Sequence, residues 1–180
     1  MIRHLTLLAV TVFFVGCATQ KEKQPTSAPA VAQETTQPLF IIERSTNANV
    51  VHYDAQLTAA DKLDPEEPVI AYWVRLAEDG RRQDLNWIEK TMAYGVNVKV
   101  DPSVNGYQMT IVAASQRAIT VKKVGSVVRA EIVIDGQPAI LEKIYLDASV
   151  SMTGLTVNYL ELYGKDVQTS EKRYEKIIPK

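Results

Sequence analysis

The chain has one cysteine and two histidines in 180 residues, and each shortage closes a class of chemistry. A single thiol forms no intramolecular disulfide and builds no Cys-based metal or redox centre. His4 and His52 are too few for a zinc site, which needs more imidazoles or a carboxylate cluster. No cofactor motif is present, so neither metal nor cofactor is expected. An excess of one charge is missing too. The 20 Lys+Arg balance 21 Asp+Glu, for a net charge of −1, and no basic stretch stands out, so nucleic acid is not expected as a partner. The apolar run at residues 5–15 is 11 residues long, whereas a spanning helix needs about 20.

That run nevertheless has a context. Arg3 and His4 precede it, and Gly16 and Cys17 follow it. A short basic segment, a short apolar segment and a small residue at a cleavage point make an export signal. The ending Val15-Gly16-Cys17 resembles the lipobox of bacterial lipoproteins. The resemblance implies that Cys17 becomes the lipid-modified first residue of the mature chain, anchored through acyl chains such as palmitate. Ala18 stands where an inner-membrane retention signal would have Asp. The expected location is therefore the cell envelope, on the outer membrane facing the periplasm, with more than one acyl chain giving a stable attachment.

Residues 18–38 contain three prolines, no aromatic residue and one valine. Such a segment buries too little apolar surface to offset the entropy of ordering, and reads as an extended, disordered tether. Residues 39–180 form a single domain of ordinary size. Its 17 Lys+Arg and 19 Asp+Glu are again nearly balanced.

Within that domain the hydrophobic period is two. Strands are expected over residues 39–44, 50–55, 69–76, 94–100, 107–114, 118–124, 128–134, 137–149 and 155–163, and residues 169–178 read as a final strand or a short helix. Asp135-Gly136 is a strong two-residue hairpin signal. Residues 84–94 break the pattern: Leu85, Ile88 and Met92 share a helical face, Asp84 can cap it and Gly95 can end it. The fold class is mostly β, an antiparallel β-barrel or β-sandwich of about nine or ten strands with one short amphipathic helix.

Several stretches carry a likeness: Phe40-Ile41-Ile42-Glu43-Arg44-Ser45, Asn47-Ala48-Asn49, Tyr53-Asp54-Ala55, residues 68–73, Trp87-Ile88-Glu89-Lys90 and Ala93-Tyr94-Gly95. Across nearly all of residues 39–180 the sequence resembles an uncharacterised bacterial family, a domain of unknown function often found behind a lipoprotein signal. The resemblance implies no activity and no catalytic residue.

The residues themselves offer few chemical constellations. His52 alternates with Val51 and Tyr53 and reads as a surface or rim residue, since no nucleophile-elbow sequence accompanies it. The acidic stretch at residues 61–67 lacks a calcium-loop ladder and is broken by Pro65, so it reads as a solvated loop. Glu142 shares parity with Ile140, Ile144 and Leu146 and is expected to point inward against an Arg or Tyr. Arg44 lies on the face of Phe40 and Ile42, and a buried guanidinium needs a partner. Glu142 or Glu89 could supply it. Alternatively Arg44, Asn47, Asn49, Tyr72, Trp73, Trp87 and Tyr94 border one ligand site, with only one of Tyr72 and Trp73 able to face it.

Two function classes stand ahead of an enzyme, which is not favoured. One is a binding module for a small apolar or amphipathic ligand. The other is an envelope interaction or assembly protein using an exposed sheet edge. A deep interior cavity would favour the first, and a filled core with an unprotected edge strand the second. Acylation is directly testable. Cys17→Ser is expected to leave an unprocessed or soluble protein; unchanged mass and unchanged membrane fractionation would refute the anchor.

Overall fold

The computed structural model describes residues 35–151 and 154–179. Cys17, the signal segment and the tether up to residue 34 lie outside the described residues. In chain order the elements are β1 (Thr35–Arg44), β2 (Asn47–Leu57), β3 (Val69–Val74), β4 (Arg82–Asp84), α1 (Trp87–Met92), β5 (Val96–Asp101), β6 (Gly106–Ile111), β7 (Ile119–Val124), β8 (Val127–Ile134), β9 (Gln137–Ser151), β10 (Gly154–Asp166) and β11 (Lys172–Ile177). The strand beyond those expected is β4, of whose three residues the sequence reading placed only Asp84, as a helix cap.

All eleven strands belong to one sheet, in the order β4-β3-β2-β1-β9-β8-β7-β6-β5, with β10 and β11 stacked on from β9. The sheet curls into a half-barrel. Every pairing is antiparallel except β1 with β9, which run parallel from Ile41↔Lys143 to Arg44↔Leu146.

The strand β9 has neighbours along both edges. One edge meets β8 at residues 137–140 and then β1 at residues 143–146; the other runs beside β10 from Ala139 to Ser151. The change of partner comes with a change of face. Ala139 and Leu141 are buried, as are Ile144 and Ala148, so the alternation slips by one between Leu141 and Ile144. The slip coincides with a register shift on β10 between Tyr163 and Gly164. A Cβ on Gly164 would lie 2.4 Å from the Ile140 carbonyl oxygen, so the two backbones approach there in a way only glycine permits. This corrects the inward placement of Glu142. Parity cannot be carried through a bulge, and Glu142 is exposed and paired with Lys165.

Two boundaries differ from the sequence reading. The first strand begins at Thr35, inside the segment read as tether, because Thr35–Pro38 pair with β2 through the backbone. Gln37 fastens this start to the β7–β8 turn: its Nε2 donates to the Ser126 carbonyl and its Oε1 accepts from the Val128 N–H. Ladder bonds need no apolar side chains, which is why composition did not mark it. The helix is shorter than residues 84–94 and is capped by Asn86 rather than Asp84. The Asn86 side chain accepts from the Glu89 N–H, and the Glu89 carboxylate accepts from the Asn86 N–H, a capping box. Gly95 follows because a Cβ there would sit 1.9 Å from the Lys90 carbonyl oxygen.

The concave interior is occupied by side chains. Tyr53, Leu57, Trp73, Met109, Ile119, Ile134 and Leu141 are fully buried in one cluster drawn from β2, β3, β6, β7, β8 and β9. Phe40 stacks on Tyr53 with ring centroids 4.5 Å apart, and the Tyr53 hydroxyl donates to the Tyr94 carbonyl at 2.8 Å. Burial pushes that hydroxyl far above its ordinary range, so it stays protonated and donates at any working pH.

At the β10–β11 turn, Asp166 accepts from the Gln168 and Thr169 N–H groups and from Arg173. These three bonds hold its carboxyl well below the usual carboxylate range. A depressed folded-state pKa means stabilisation that is present above the ordinary Asp range and is lost as the pH falls through and below it. Thermal melts between pH 6 and pH 2 are expected to show this loss, and Asp166→Asn to be less stable at neutral pH with a shallower decline in acid. Parallel curves for the two proteins would remove Asp166 from the account.

Candidate functional site

Five of the seven residues singled out from sequence meet at one end of the half-barrel. Arg44 ends β1, Asn47 and Asn49 open β2, Trp73 lies near the end of β3, and Tyr94 joins α1 to β5. The β1–β2 turn is only two residues long, so Arg44 and Asn47 face each other as a cross-strand pair. The guanidinium lies over the Trp73 ring, 4.4 Å from its centroid, and donates to the Tyr94 hydroxyl at 3.1 Å and to Asn47 Oδ1 at 3.0 Å. Tyr94 meets Trp73 edge-on at 5.2 Å. Asn47 Oδ1 also accepts from the Asn49 N–H, and Asn49 Oδ1 accepts from the Ala77 N–H.

The partners of Arg44 are all neutral. Neither Glu142 nor Glu89 reaches it: the first pairs with Lys165, and the second caps α1. Among the described residues no carboxylate forms an ion pair with Arg44. Its Nε and the indole Nε1 of Trp73 are both buried and have no acceptor among the described residues. The arrangement is a cation held by two ring faces and two neutral oxygens, with two buried donors left over.

The other two residues fall elsewhere. Tyr72 alternates with Trp73 and faces the opposite side of the sheet. Its hydroxyl donates to Asp54 at 2.7 Å, Arg82 lies 3.8 Å from its ring centroid, and His52 stacks beside it at 5.6 Å. Burial and the Asp54 hydrogen bond push the Tyr72 hydroxyl up to about 12. Trp87 is 76 % exposed on α1, alongside Ile88 and Met92, which are also exposed. The helix has no buried residue. Leu85 is the apolar residue that enters the core, and it precedes the cap. The apolar face inferred for residues 84–94 is therefore split: Leu85 points inward, and Ile88 and Met92 point outward.

Two features escaped the sequence reading. The first is a solvent-facing cluster of tyrosines on β9, β10 and β11 centred on Glu161. Its carboxylate accepts from Tyr163 at 2.7 Å and Tyr174 at 2.9 Å, while Lys176 covers the Tyr159 ring. The hydrogen bond to Glu161 raises Tyr163 to about 12. The period-2 spacing of Tyr159, Glu161 and Tyr163 was the available signal.

The second is the open edge of β5. This strand ends the sheet, with β6 as its partner. The Val112 N–H donates to the directly opposite Gly95 carbonyl, which sets the phase of the ladder. Asn97, Lys99 and Asp101 then exchange hydrogen bonds with β6, and Val96, Val98 and Val100 turn their N–H and C=O groups outward. Two clefts lie along this edge. One, of about 770 Å³, lies between Gly95–Val96 and the β3 segment at residues 69–71; Asp64, Glu66, Glu67 and Asp84 line it with Arg82 and Lys90. The other, of about 610 Å³, lies between Val100–Asp101 and residues 61–63. The β2–β3 connection thus forms the far wall of both. It is held there by Lys123, whose Nζ reaches the Asp61 carbonyl, and by Tyr107, whose hydroxyl donates to the Asp64 carbonyl.

The family model for a domain of unknown function, DUF4833, matches residues 40–176. The chain belongs to that family. No curated protein and no solved structure matches it. The DUF4833 match begins at Phe40 and so takes in the Arg44 cluster, all of β5, the smaller cleft and, apart from Thr36, the lining of the larger one.

Arg44→Ala removes a ring stack and two hydrogen bonds from this DUF4833 domain. It is expected to cost about 2–3 kcal/mol in urea unfolding. A loss below about 0.5 kcal/mol would mean that the guanidinium serves something other than the fold.

Proposed function

We propose that this protein is a lipid-anchored component of the cell envelope that holds a partner protein by accepting one of its strands on the open edge of β5. The observation that carries the reading is the contrast between the sheet's three terminal strands. The edge strand β4 is three residues long and polar. The edge strand β11 carries Lys172, Arg173, Glu175 and Lys176, the charged dressing that keeps an edge from pairing. The third, β5, reads Val-Asn-Val-Lys-Val-Asp, and Val100 on it is 69 % exposed. A six-residue edge with one lysine and clefts at both ends is what strand addition uses.

The filled interior weighs against the other class, a small apolar ligand held inside a barrel. Both clefts are bordered by charged side chains and lie outside the core. The export signal with Cys17 supports the anchor, and Ala18 supports placement on the outer membrane. A second reading keeps the Arg44 cluster as a small-molecule site. It is favoured by the two buried donors, Arg44 Nε and Trp73 Nε1, which lack acceptors among the described residues.

The phase of the β5 ladder supplies the test. Val98→Pro removes an N–H that points away from β6, so the domain is expected to keep its fold. Lys99→Pro removes an N–H inside the β5–β6 ladder and is expected to destabilise by about 1–3 kcal/mol. A photo-crosslinking residue at Val100 in the native envelope is expected to yield a protein adduct that Val98→Pro abolishes. An adduct that survives Val98→Pro would show that the partner does not pair with this edge.

A further inference from the structure

The strand-addition reading leaves open what kind of segment fits, and the walls of the groove answer that. We infer that the partner strand is a basic, alternating peptide: apolar at every second residue, with Lys or Arg near the end that lies beside Gly95. The inference rests on the proposed role of β5 and adds the chemistry of its occupant.

The alternation follows from the faces of β5. Val96 and Val98 are half-buried and pack against the core cluster, while Asn97 and Lys99 face the other way. A strand added outside β5 continues that surface. Its residues on the inner face would cover the exposed flank of Val100 and extend the apolar layer, and those on the other face would be polar.

The charge follows from the wall. The larger cleft has four carboxylates, Asp64, Glu66, Glu67 and Asp84, against two cations, Arg82 and Lys90. Asp64 turns one oxygen back onto the Glu66 and Glu67 N–H groups, which fixes the loop. Neither Glu66, Glu67 nor Asp84 forms an ion pair among the described residues. An incoming Lys or Arg finds acceptors there, and an incoming Glu meets like charges. The charge pairs here are partly exposed, so they act through specificity and are weakened by salt. At the other end Lys123 is already paired with Asp61, so that cleft offers no such preference.

The test uses the full chain in detergent and three synthetic ten-residue peptides that share alternating valines and differ in carrying Lys, Gln or Glu at the polar positions. Binding is read by fluorescence anisotropy at low and high salt. Amide exchange at Val96, Val98 and Val100 reports whether the edge is covered. The Lys peptide is expected to bind at least tenfold more tightly than the Glu peptide, to lose that advantage in high salt, and to slow exchange at the three valines. The double variant Glu66→Lys, Glu67→Lys is expected to reverse the order.

Equal binding of all three peptides with slowed exchange would overturn the charge inference and leave strand addition standing. No binding of any peptide would overturn both. Slowed exchange that depends on protein concentration without peptide would mean that β5 pairs with a second copy of this chain, and would overturn a foreign partner. Binding without slowed exchange would place the peptide elsewhere, with the exposed Trp87, Ile88 and Met92 of α1 the first alternative.

Discussion

The pairing of β9 with two different strands along one edge is the constraint on which the architecture depends. Residues 137–140 of β9 use that edge for β8, and residues 143–146 use it for β1. The sheet therefore forks. One arm leads through β1 and β2 to β4, the other through β8 and β7 to β5. Two arms leaving one edge at different heights cannot stay coplanar, and the curl of the half-barrel follows from the divergence together with the ordinary twist of strands. The slip of alternation between Leu141 and Ile144 allows both arms to face the same core. Gly164 across the ladder makes room for it.

The curl also brings the ends of the arms near each other without joining them. Chain connectivity bridges them: β4 leads through α1 into β5 within a dozen residues. The β2–β3 connection faces the same open edge of β5 across the clefts, tied by Lys123 and Tyr107. The clefts are what remains of the seam. The charged rim of the larger one comes from the β2–β3 connection, from β4 and from α1, set against the strand residues Val69, Ile70, Ala71 and Val96. Arg44 belongs to the opposite logic. It is held on the core side by Trp73 and Tyr94, and the Tyr94 carbonyl in turn anchors Tyr53. The cluster links β1, β2, β3 and the start of β5, which is the reason a cation is tolerated there.

Much of this was legible in the sequence because a strand advertises itself every second residue. Nine of the eleven strands follow from apolar alternation, β11 was open between strand and short helix, and the Asp135-Gly136 turn adopts the left-handed backbone at both positions, with φ of 49° and 72°. Strand face and one short turn placed Arg44 with Asn47 and Asn49, parity allowed one of Tyr72 and Trp73 to join them without saying which, and Tyr94 entered only as a residue bracketing the helix. What parity could not show was anything decided by a bulge or by a neighbour distant in sequence. Glu142 was misplaced because it is the extra residue at the bulge, and the inward face passes to Ile144 only after it. Trp87 was misplaced because a six-residue helix has too few turns for periodicity to say which side meets the sheet. The order of strands, and hence which of them is left at the edge, is a property of pairings between segments roughly a hundred residues apart. Nothing in the Val-Asn-Val-Lys-Val run distinguishes an end strand from a central one.

The parallel contact between β1 and β9 has a consequence for the order of assembly. The β1–β2 hairpin is local and can close as soon as its own residues meet. Its other edge, carrying Ile41 and Ile42, has no neighbour until Lys143 and Ile144 arrive, about a hundred residues further along the chain. Loop-closure entropy for so distant a pairing must be met before the contact stabilises anything, so a sheet of this connectivity folds slowly. Throughout that interval the apolar start of the domain is an open template for the wrong strand. The same edge chemistry that would let β5 accept a partner in the finished protein is, at β1, a hazard that lasts until β9 is in place.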